Sequence, residues 1–467
     1  MRAEFEHIET IPLISEVPFK EGPRTTTEEL AGKLGLPETL SERVGSYIPS
    51  KERFSEDYGF PTIDQLYVRE NEVKPSITGA NFVMTYNQAD KRIYLVPPWH
   101  GLNFDPITPH HAGDYGSGVF EGGSLEPVVN NEEIIGANII LNGPRLARIA
   151  WSMKSRFYSS PVDMERFDLA MRDLAAILAS DVLRDANEVP SRAYIRPAFR
   201  PGSGALGLNL KPEHPIQAST YITNWPCYFA NPERVYRGAG LTVAAMPVQR
   251  LEPIDGKHAS NYGAAGKVGR QAANHGVDEA IYFGPYTVKS DWNSRGEGER
   301  IIFGDQGTFE RNYERTVLAD GPGEGLIGFD ADGQMVIPPM SVNQLPSTTM
   351  IHVARYIAPT LHIKVIERPF CIEDIRSGSI VGMAYVGNAA RVAPIGEIAV
   401  FGKNGEGEMA RHKLDVELPQ IVSNFYEGEV GKVVKSPDPN FLTPVNVGEG
   451  EYVSRRLKES VYPTYFE

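Results

Sequence analysis

One lysine stands apart from the rest of the chain. Lys257 lies in GKHASNYG (256–263), between the proline-broken approach Glu252-Pro253 and a helix that Ser260 opens. A lysine at such a junction is not part of the solvated face of an amphipathic helix. Buried near a cation or in a dry pocket, its amine falls below the ~10.4 of free lysine and becomes a nucleophile. That is the property a carbonyl-trapping lysine requires. Lys267, one helix further on, is an ordinary solvated lysine by comparison. Histidines and cysteines organise no rival site. His110-His111 are adjacent, so both rings cannot reach one metal from a regular strand. With 2 cysteines, Cys227 and Cys371, a disulfide framework or a multi-cysteine zinc site is excluded. Phosphate loops of the Gly-x-x-x-x-Gly-Lys and Gly-x-Gly-x-x-Gly kinds are missing, as is a serine nucleophile elbow. Gly202-Ser203-Gly204 reads only as a flexible turn.

A carbonyl cofactor with a phosphate handle needs three further things: an acid for its ring nitrogen, donors for the phosphate, and groups for a substrate carboxylate. LADGPGEGLIGF (318–329) offers Asp320 and Glu324 among glycines, although taken alone it is a turn-forming Asp-Gly. NQLPSTTM (343–350) sets Ser347, Thr348 and Thr349 at a helix start, where hydroxyls and open backbone N–H groups make an anion site. Helix capping explains one of those hydroxyls, less readily three in a row. YVGNAARVAPIG (385–396) carries a strand into Gly387-Asn388-Ala389-Ala390, small residues that let the backbone approach a ligand. Arg145 in GPRLARIA supplies positive charge, its plainer role being a surface arginine on a helix.

The elements that must position these residues lie in a chain of 467 residues, long enough for two or three domains. Hydrophobic residues at 41% and charged residues at 23% are ordinary for a globular protein. The net charge of −14 and the lack of a basic run exclude a nucleic-acid or anionic-membrane footprint. No secretory signal is read at the start, and the apolar stretch Ser379–Ala390 is too short to span a bilayer. A cytoplasmic location is therefore expected. Residues 1–78 read as an N-terminal extension, with a short helix over Thr26–Leu34. Strands NFVMTYN and RIYLVPP flank a turn at Gln88–Lys91. ANIILNG is a strand, and Ser160-Pro161 is expected to open a long helix with Phe167, Met171, Leu174 and Leu178 on its apolar face. RAYIRPAF follows as a strand of a sheet that ends near Ser219. The small domain spans 79–222, an aperiodic interdomain loop 223–238, and a larger αβ domain 239–430. In the latter, LTVAAMPV and AIYFG are strands around a helix from Ser260 to Asn274, stopped by His275-Gly276. Residues 285–315 read as a long polar excursion. LIGFD and QMVIP pair across Ala331-Asp332-Gly333, Ser347–Ala358 is helical, and KVIERPF is a strand. The C-terminal extension, 431–467, reads as irregular.

Taken together, the order and spacing of these motifs resemble the class IV aminotransferases, the fold-type IV pyridoxal-phosphate enzymes. Among them the sequence looks most like the branched-chain amino acid aminotransferases, over roughly residues 80–430. The resemblance implies a two-domain α/β fold with mixed sheets, like that of the D-amino acid aminotransferases, and pyridoxal 5'-phosphate as cofactor. YGSGVFEGG (115–123) is similar to the stretch that lines the family's substrate pocket, which implicates Tyr115 and Phe120. RAYIRP (192–197) resembles the family's Tyr-Ile-Arg-Pro strand, implying substrate-side roles for Tyr194 and Arg196. Lys257 matches the Schiff-base lysine and Tyr262 the tyrosine near the cofactor oxygen. Arg145, Ser347, Thr348, Thr349, Gly387 and Asn388 match the phosphate and carboxylate loops, while Ala389 and Ala390 fall on substrate-side amides. Asp320 stands where the family usually has the glutamate that keeps the ring nitrogen protonated.

The resemblance further implies transamination between an amino acid, branched-chain or a related hydrophobic or modified one, and a 2-oxo acid, in a homodimer. Arg145, Arg196 and Arg391 are the candidates for a positive pocket. Three departures bear on the substrate: Asp320 is one methylene shorter than the usual glutamate, with Gly325 in place of its motif's asparagine; Gly123-Ser124-Leu125 replace an arginine and an aromatic; and the insertion 285–315, with long extensions at both ends, has no counterpart in the compact enzymes. The first two motivate an alternative, a class IV lyase, decarboxylase or other carbanion chemistry acting on a modified amino acid. A cofactor-free scaffold is the non-enzymatic competitor, which the joint retention of Lys257, Arg145 and the phosphate loop opposes.

Overall fold

The computed structural model describes residues 116–185, 187–201, 216–249, 256–288, 301–303, 313–339, 344–402, 405, 407–445 and 447, with the backbones of strands 83–87 and 92–96. Tyr115, the helix expected over Thr26–Leu34, His110-His111 and the Gly202–Gly204 turn lie outside these residues. The chain divides into two compact units. One gathers the residues up to Pro226, Gly256–Ser260 and the chain from Asn440 onward; the other holds Cys227–Asp255 and Asn261–Pro439.

The first unit is built on an eight-stranded antiparallel sheet. Strands β1 (Val83–Asn87) and β2 (Arg92–Val96) form the expected hairpin, with Asn87 opposite Arg92. Next come β3 (Val119–Phe120), β4 (Gly123–Asn130) and β5 (Glu133–Ile140). At Leu141 the backbone turns left-handed (φ 49°) and enters helix α1 (Asn142–Ser155). Helix α2 (Met164–Val182) buries Phe167, Met171, Leu174 and Leu178, as its periodicity requires, against Leu125, Ile139, Ile195, Phe199 and Ile222. Each such side chain contributes roughly 1.5–3 kcal/mol of burial. The start of α2 differs from expectation. Asp163, not Ser160, is its cap: the Asp163 carboxylate accepts from the Glu165 and Arg166 amides at 2.9 and 3.1 Å. Ser160 instead donates to the Val162 carbonyl at 2.6 Å, so Pro161 precedes the helix rather than opening it.

Strand β6 (Ala193–Pro201) pairs along its whole length with β7 (Ile216–Asn224). The sheet therefore runs past Ser219 to Asn224, which donates its amide to the carbonyls of Val182 and Arg184 at 2.9 Å. The C-terminal segment is not irregular throughout either. Strand β18 (Leu442–Val445) pairs antiparallel with β5, and Phe441 beside it is fully buried.

The second unit begins with a short helix, α3 (Pro232–Arg237), capped by Asn231, inside the tract that periodicity alone leaves as loop. Its ten-stranded sheet is mixed, with β8 (Leu241–Gln249) parallel to both β9 (Glu279–Val288) and β16 (Arg391–Phe401). Helix α4 (Asn261–Asn274) sets Ala265, Val268 and Ala272 on Ala244, Met246, Ala280 and Tyr282, and the chain leaves it through Gly276 at φ +71°. Part of the excursion after Pro285 is strand: β9 continues to Val288, and β10 (Ile301–Phe303) returns beside it. β11 (Thr316–Leu318) also joins β9. β12 (Gly325–Asp330) and β13 (Met335–Ile337) form the expected hairpin, with Gly333 at φ +75° in its turn. Helix α5 starts as Thr348–His352, passes through a π-helical turn at Val353–Ile357 and ends at Ala358–Thr360. β14 (Val365–Glu367), α6 (Ile372–Ser377), β15 (Ile380–Gly387), β17 (Glu408–Lys413) and α7 (Glu417–Val430) complete the unit. β12 and most of β15 are buried on both faces, which explains their continuous apolar runs. Among the described residues no helix is long and apolar enough to cross a membrane.

Candidate active site

In the first unit, the Lys257 segment is held as an extra stretch of strand beside β3. Phe120 N–H donates to the Lys257 carbonyl at 3.2 Å, Ala259 N–H donates to Gly118 at 2.8 Å, and Val119 bridges to His258. Its other support is the buried face of α1, where Asn142, Arg145, Arg148 and Ser152 recur at helical spacing. Ser152 Oγ accepts from the Lys257 amide at 2.9 Å, and fully buried His258 sets Nε2 3.2 Å from the Ser152 carbonyl. The backbone of the lysine is thus held on both sides.

The Lys257 amine lies 5.6 Å from the centroid of the Phe120 ring. Although the residue as a whole is only partly buried, the amine is enclosed, and burial drives its pKa down to about 7. The charge of Arg148 lowers it further, Glu121 opposes, and Arg196 and Arg145 add smaller lowering effects. Glu121, 1% exposed, takes both of its oxygens to Arg148 at 2.6 Å. Burial pushes the Glu121 carboxyl up, but Arg148 outweighs it and the net shift is downward. Arg145 donates to the carbonyls of Ile140 (3.1 Å) and Gly122 (2.6 Å). The Arg196 guanidinium stacks over Phe120 at 4.4 Å and over Tyr194 at 4.9 Å, and Tyr194 in turn meets Trp225 edge-on. Phe120, Arg145, Tyr194, Arg196 and Lys257 are therefore neighbours. Tyr115 lies outside the described residues.

In the second unit, Asp320 is 4% exposed and accepts from the Leu345 amide at 3.3 Å. Its turn is closed by Gly321 N–H donating to the Glu324 carbonyl at 2.8 Å. Ser347 caps α5, accepting from the Met350 amide at 3.2 Å and donating to the Val386 carbonyl at 3.3 Å. Gly325 lies against both: a Cβ there would meet Ser347 Cβ at 3.2 Å and Val386 Cγ2 at 3.4 Å. Likewise a Cβ on Gly387 would stand 3.4 Å from Glu324 Cγ. The acidic turn, the α5 start and the Gly387 turn are thus packed together. Thr348 and Thr349 are buried, and among the described residues neither Thr349 Oγ1 nor either polar atom of the Asn388 amide has a hydrogen-bond partner. Ala389 is half-buried, while Ala390 is buried and its carbonyl accepts from Tyr236 at 2.7 Å. Tyr262, near the start of α4, packs on the apolar cluster around Met246 and Ala265. Arg391 departs from expectation as a pocket cation, because its guanidinium is paired with Glu427.

No protein-family profile and no curated protein matches the sequence. Solved structures do. The Escherichia coli branched-chain amino acid aminotransferase superposes with a TM-score of 0.57 at 20% identity, covering 79% of this chain and 100% of that one. The enzyme of the thermophilic archaeon Thermoproteus uzoniensis, solved with norvaline, gives 0.56, also at 20% identity, over 79% and 100%. The Thermobaculum terrenum enzyme in its PLP form gives 0.54 at 18% identity over 79% and 99%. The fold is that of the branched-chain amino acid aminotransferases. Within this aminotransferase fold, several groups around the expected residues went unread in the sequence: Glu121, Arg148, Ser152, His258 and Tyr228. A signal was present for two of them. Arg148 and Ser152 continue the polar spacing of Asn142 and Arg145 along α1, a stripe too polar for a core face and too regular for chance.

Proposed function

We propose that the chain is a pyridoxal 5'-phosphate-dependent aminotransferase, moving an amino group between an amino acid of branched-chain or related hydrophobic type and a 2-oxo acid. The observation that carries this reading is the enclosed Lys257 amine, 5.6 Å from the Phe120 ring centroid, which burial and the charge of Arg148 depress to about 7. Buried polar groups without partners fit the cofactor's handle. Leaving such a group unsatisfied costs about 1–3 kcal/mol, and Thr349 Oγ1 and the Asn388 amide are the groups that a phosphate and its waters would satisfy.

When bound, pyridoxal phosphate supplies an aldehyde for amine exchange and a ring that takes up the electron pair left at the substrate α-carbon. The chain's own residues do the rest. Lys257 would hold the aldehyde end of the cofactor, and its amine would move the proton at the substrate α-carbon. Asp320 holds a proton on the ring nitrogen. Arg145, Ser347, Thr348, Thr349, Gly387 and Asn388 hold the phosphate, and Tyr262 contacts the cofactor oxygen. Tyr194, Arg196 and the amides of Ala389 and Ala390 take the substrate carboxylate, with Phe120 and Tyr115 beside the side chain. The protein on this reading is a cytoplasmic homodimer, which sedimentation of the purified chain would check.

Borohydride reduction of the purified protein should leave the cofactor's mass on the peptide carrying Lys257, and Lys257→Ala should abolish the visible absorbance. An unchanged spectrum in that variant would remove Lys257 from the site. The shorter Asp320 and the Gly123-Ser124 replacement keep a lyase or decarboxylase as the second reading. Product analysis separates the two, since a transaminase converts an added 2-oxo acid to its amino acid and a lyase runs without an acceptor.

A further inference from the structure

Beside Asp320 lies a hydrogen-bond chain whose protons do not add up if every carboxyl is ionised. Tyr228 carries one hydroxyl hydrogen and otherwise only accepts. It donates to Glu279 Oε2 at 3.0 Å, yet the same hydroxyl is also hydrogen-bonded to the Glu324 carboxyl. With its hydrogen committed to Glu279, the second bond exists only if a carboxyl supplies the proton. Each glutamate accepts one backbone amide, and the two differ in surroundings: Glu279, whose carboxyl burial also raises, takes the Ala280 amide on Oε1 at 3.1 Å and is 8% exposed. Glu324 is 3% exposed and has the Gly323 amide at 3.1 Å. Asp320 faces it across the turn that Gly321 N–H and the Glu324 carbonyl close.

We propose that Glu324 is the neutral, protonated acid of a Glu279–Tyr228–Glu324 chain, and that in this state it is a positioning residue for Asp320. The 320–325 turn then presents one negative charge instead of two. The consequence for Asp320 rests on the cofactor reading above; the proton itself does not. Burial first, and the charge of Glu279 next, push the Glu324 carboxyl up to about 8. The other ionisable neighbours do not supply a cation to offset its charge. Tyr385 donates to the Ala280 carbonyl, and Asp278, beside Glu279, is already paired with Arg234. Among the described residues neither Glu279 nor Glu324 has a lysine or arginine in an ion pair with it. Because the folded-state value lies above that of a free carboxyl, the stabilisation is complete in acid. It is lost as pH rises through about 8, when Glu324 becomes an anion next to Glu279.

Infrared spectroscopy of the cofactor-free, full-length protein tests the proton directly. A carbonyl stretch of a buried protonated carboxylic acid should be present at neutral pH and fade around pH 8 in the wild type. It should vanish in Glu324→Gln and survive in Glu279→Gln. Absence of the band in the wild type, or its loss in Glu279→Gln with retention in Glu324→Gln, overturns the assignment. Absence of the band in the wild type is decisive even where a variant fails to fold. The positioning role is read in the alkaline limb of pyridoxal phosphate affinity: the wild type should weaken several-fold above pH 8 and Glu324→Gln should not. Equal limbs in the two proteins would end it. A protein that takes up no pyridoxal phosphate at any pH would sink the cofactor reading and the consequence for Asp320, while the infrared result would still locate the proton.

Discussion

At the residue scale, the charges packed around the Lys257 amine set its basicity. Glu121 and Arg148 form a buried pair with both carboxylate oxygens engaged, so removing either takes from the other its bidentate partner in a dry site. Arg148→Met should therefore destabilise the protein by about 3–5 kcal/mol. The double variant Glu121→Gln, Arg148→Met should recover much of that loss, which a chemical-denaturation cycle would show. The same single variant should raise the Lys257 pKa from about 7, since a lowering charge is removed and Glu121 is left to favour the ammonium. The pH dependence of lysine acylation in cofactor-free protein measures this. Gly122 makes a purely steric prediction. A Cβ there would lie 2.2 Å from the Tyr194 hydroxyl and 2.8 Å from its ring. Gly122→Ala must displace that ring from Arg196 and Trp225, and should cost about 1–3 kcal/mol in thermal or urea unfolding. Lys257, Asp320 and Ser347 were legible because motif and spacing mark them. Glu121 was visible as part of a motif, but its partner, 27 residues away, was not.

Helix starts and strand ends are where local signals compete at the element scale. Asp163 caps α2 because its side chain accepts two amides there, at the positive end of the helix dipole. Asp163→Ala should cost about 1 kcal/mol and Ser160→Ala far less, the reverse of what Ser160-Pro161 suggests on paper. Equal effects in denaturation would restore the Ser160 cap. Long periodic elements were read correctly, α2's stripe and the β12–β13 hairpin above all, since a side-chain period or an Asp-Gly turn is written within a few residues. The strand character of Leu442–Val445 and of Ile301–Phe303 was missed for the opposite reason. Four residues or fewer carry little period, and only the partner strand makes them strands.

At the scale of the whole molecule, chain segments far apart in sequence depend on each other. In the first unit, β18 covers the edge of β5, and Leu141 N–H donates to the Phe441 carbonyl at 2.8 Å. A chain stopped after Pro439 loses the burial of Phe441, roughly 1.5–3 kcal/mol, and exposes the backbone edge of β5. Lower thermal stability and a tendency to aggregate should follow, read by calorimetry and light scattering. In the second unit, buried His352 of α5 sets Nε2 2.8 Å from Glu429 of α7 and Nδ1 3.2 Å from Asp438. Burial opposes its charge, but the two carboxylates prevail and the histidine pKa is raised. Its stabilisation is therefore complete below the ordinary histidine range and declines as pH climbs through the raised value. His352→Gln should flatten that part of the stability profile in cofactor-free protein. A profile identical to wild type would show that the imidazolium contributes nothing.

The amino-acid sequence by itself determined what depends on short spans of chain: the helix stripes, the hairpin turns, and the run of motifs that marks Lys257 and the α5 start. Tertiary structure alone decided which charges meet. Ser152 supports Lys257 across 105 positions, His352 reaches Asp438 across 86, and Tyr228 reaches Glu279 across 51. The reason is physical. Side-chain periodicity and turn chemistry act between neighbours along the chain, whereas the strength of a charge depends on its distance from other charges and from water, which exist only once the chain has folded.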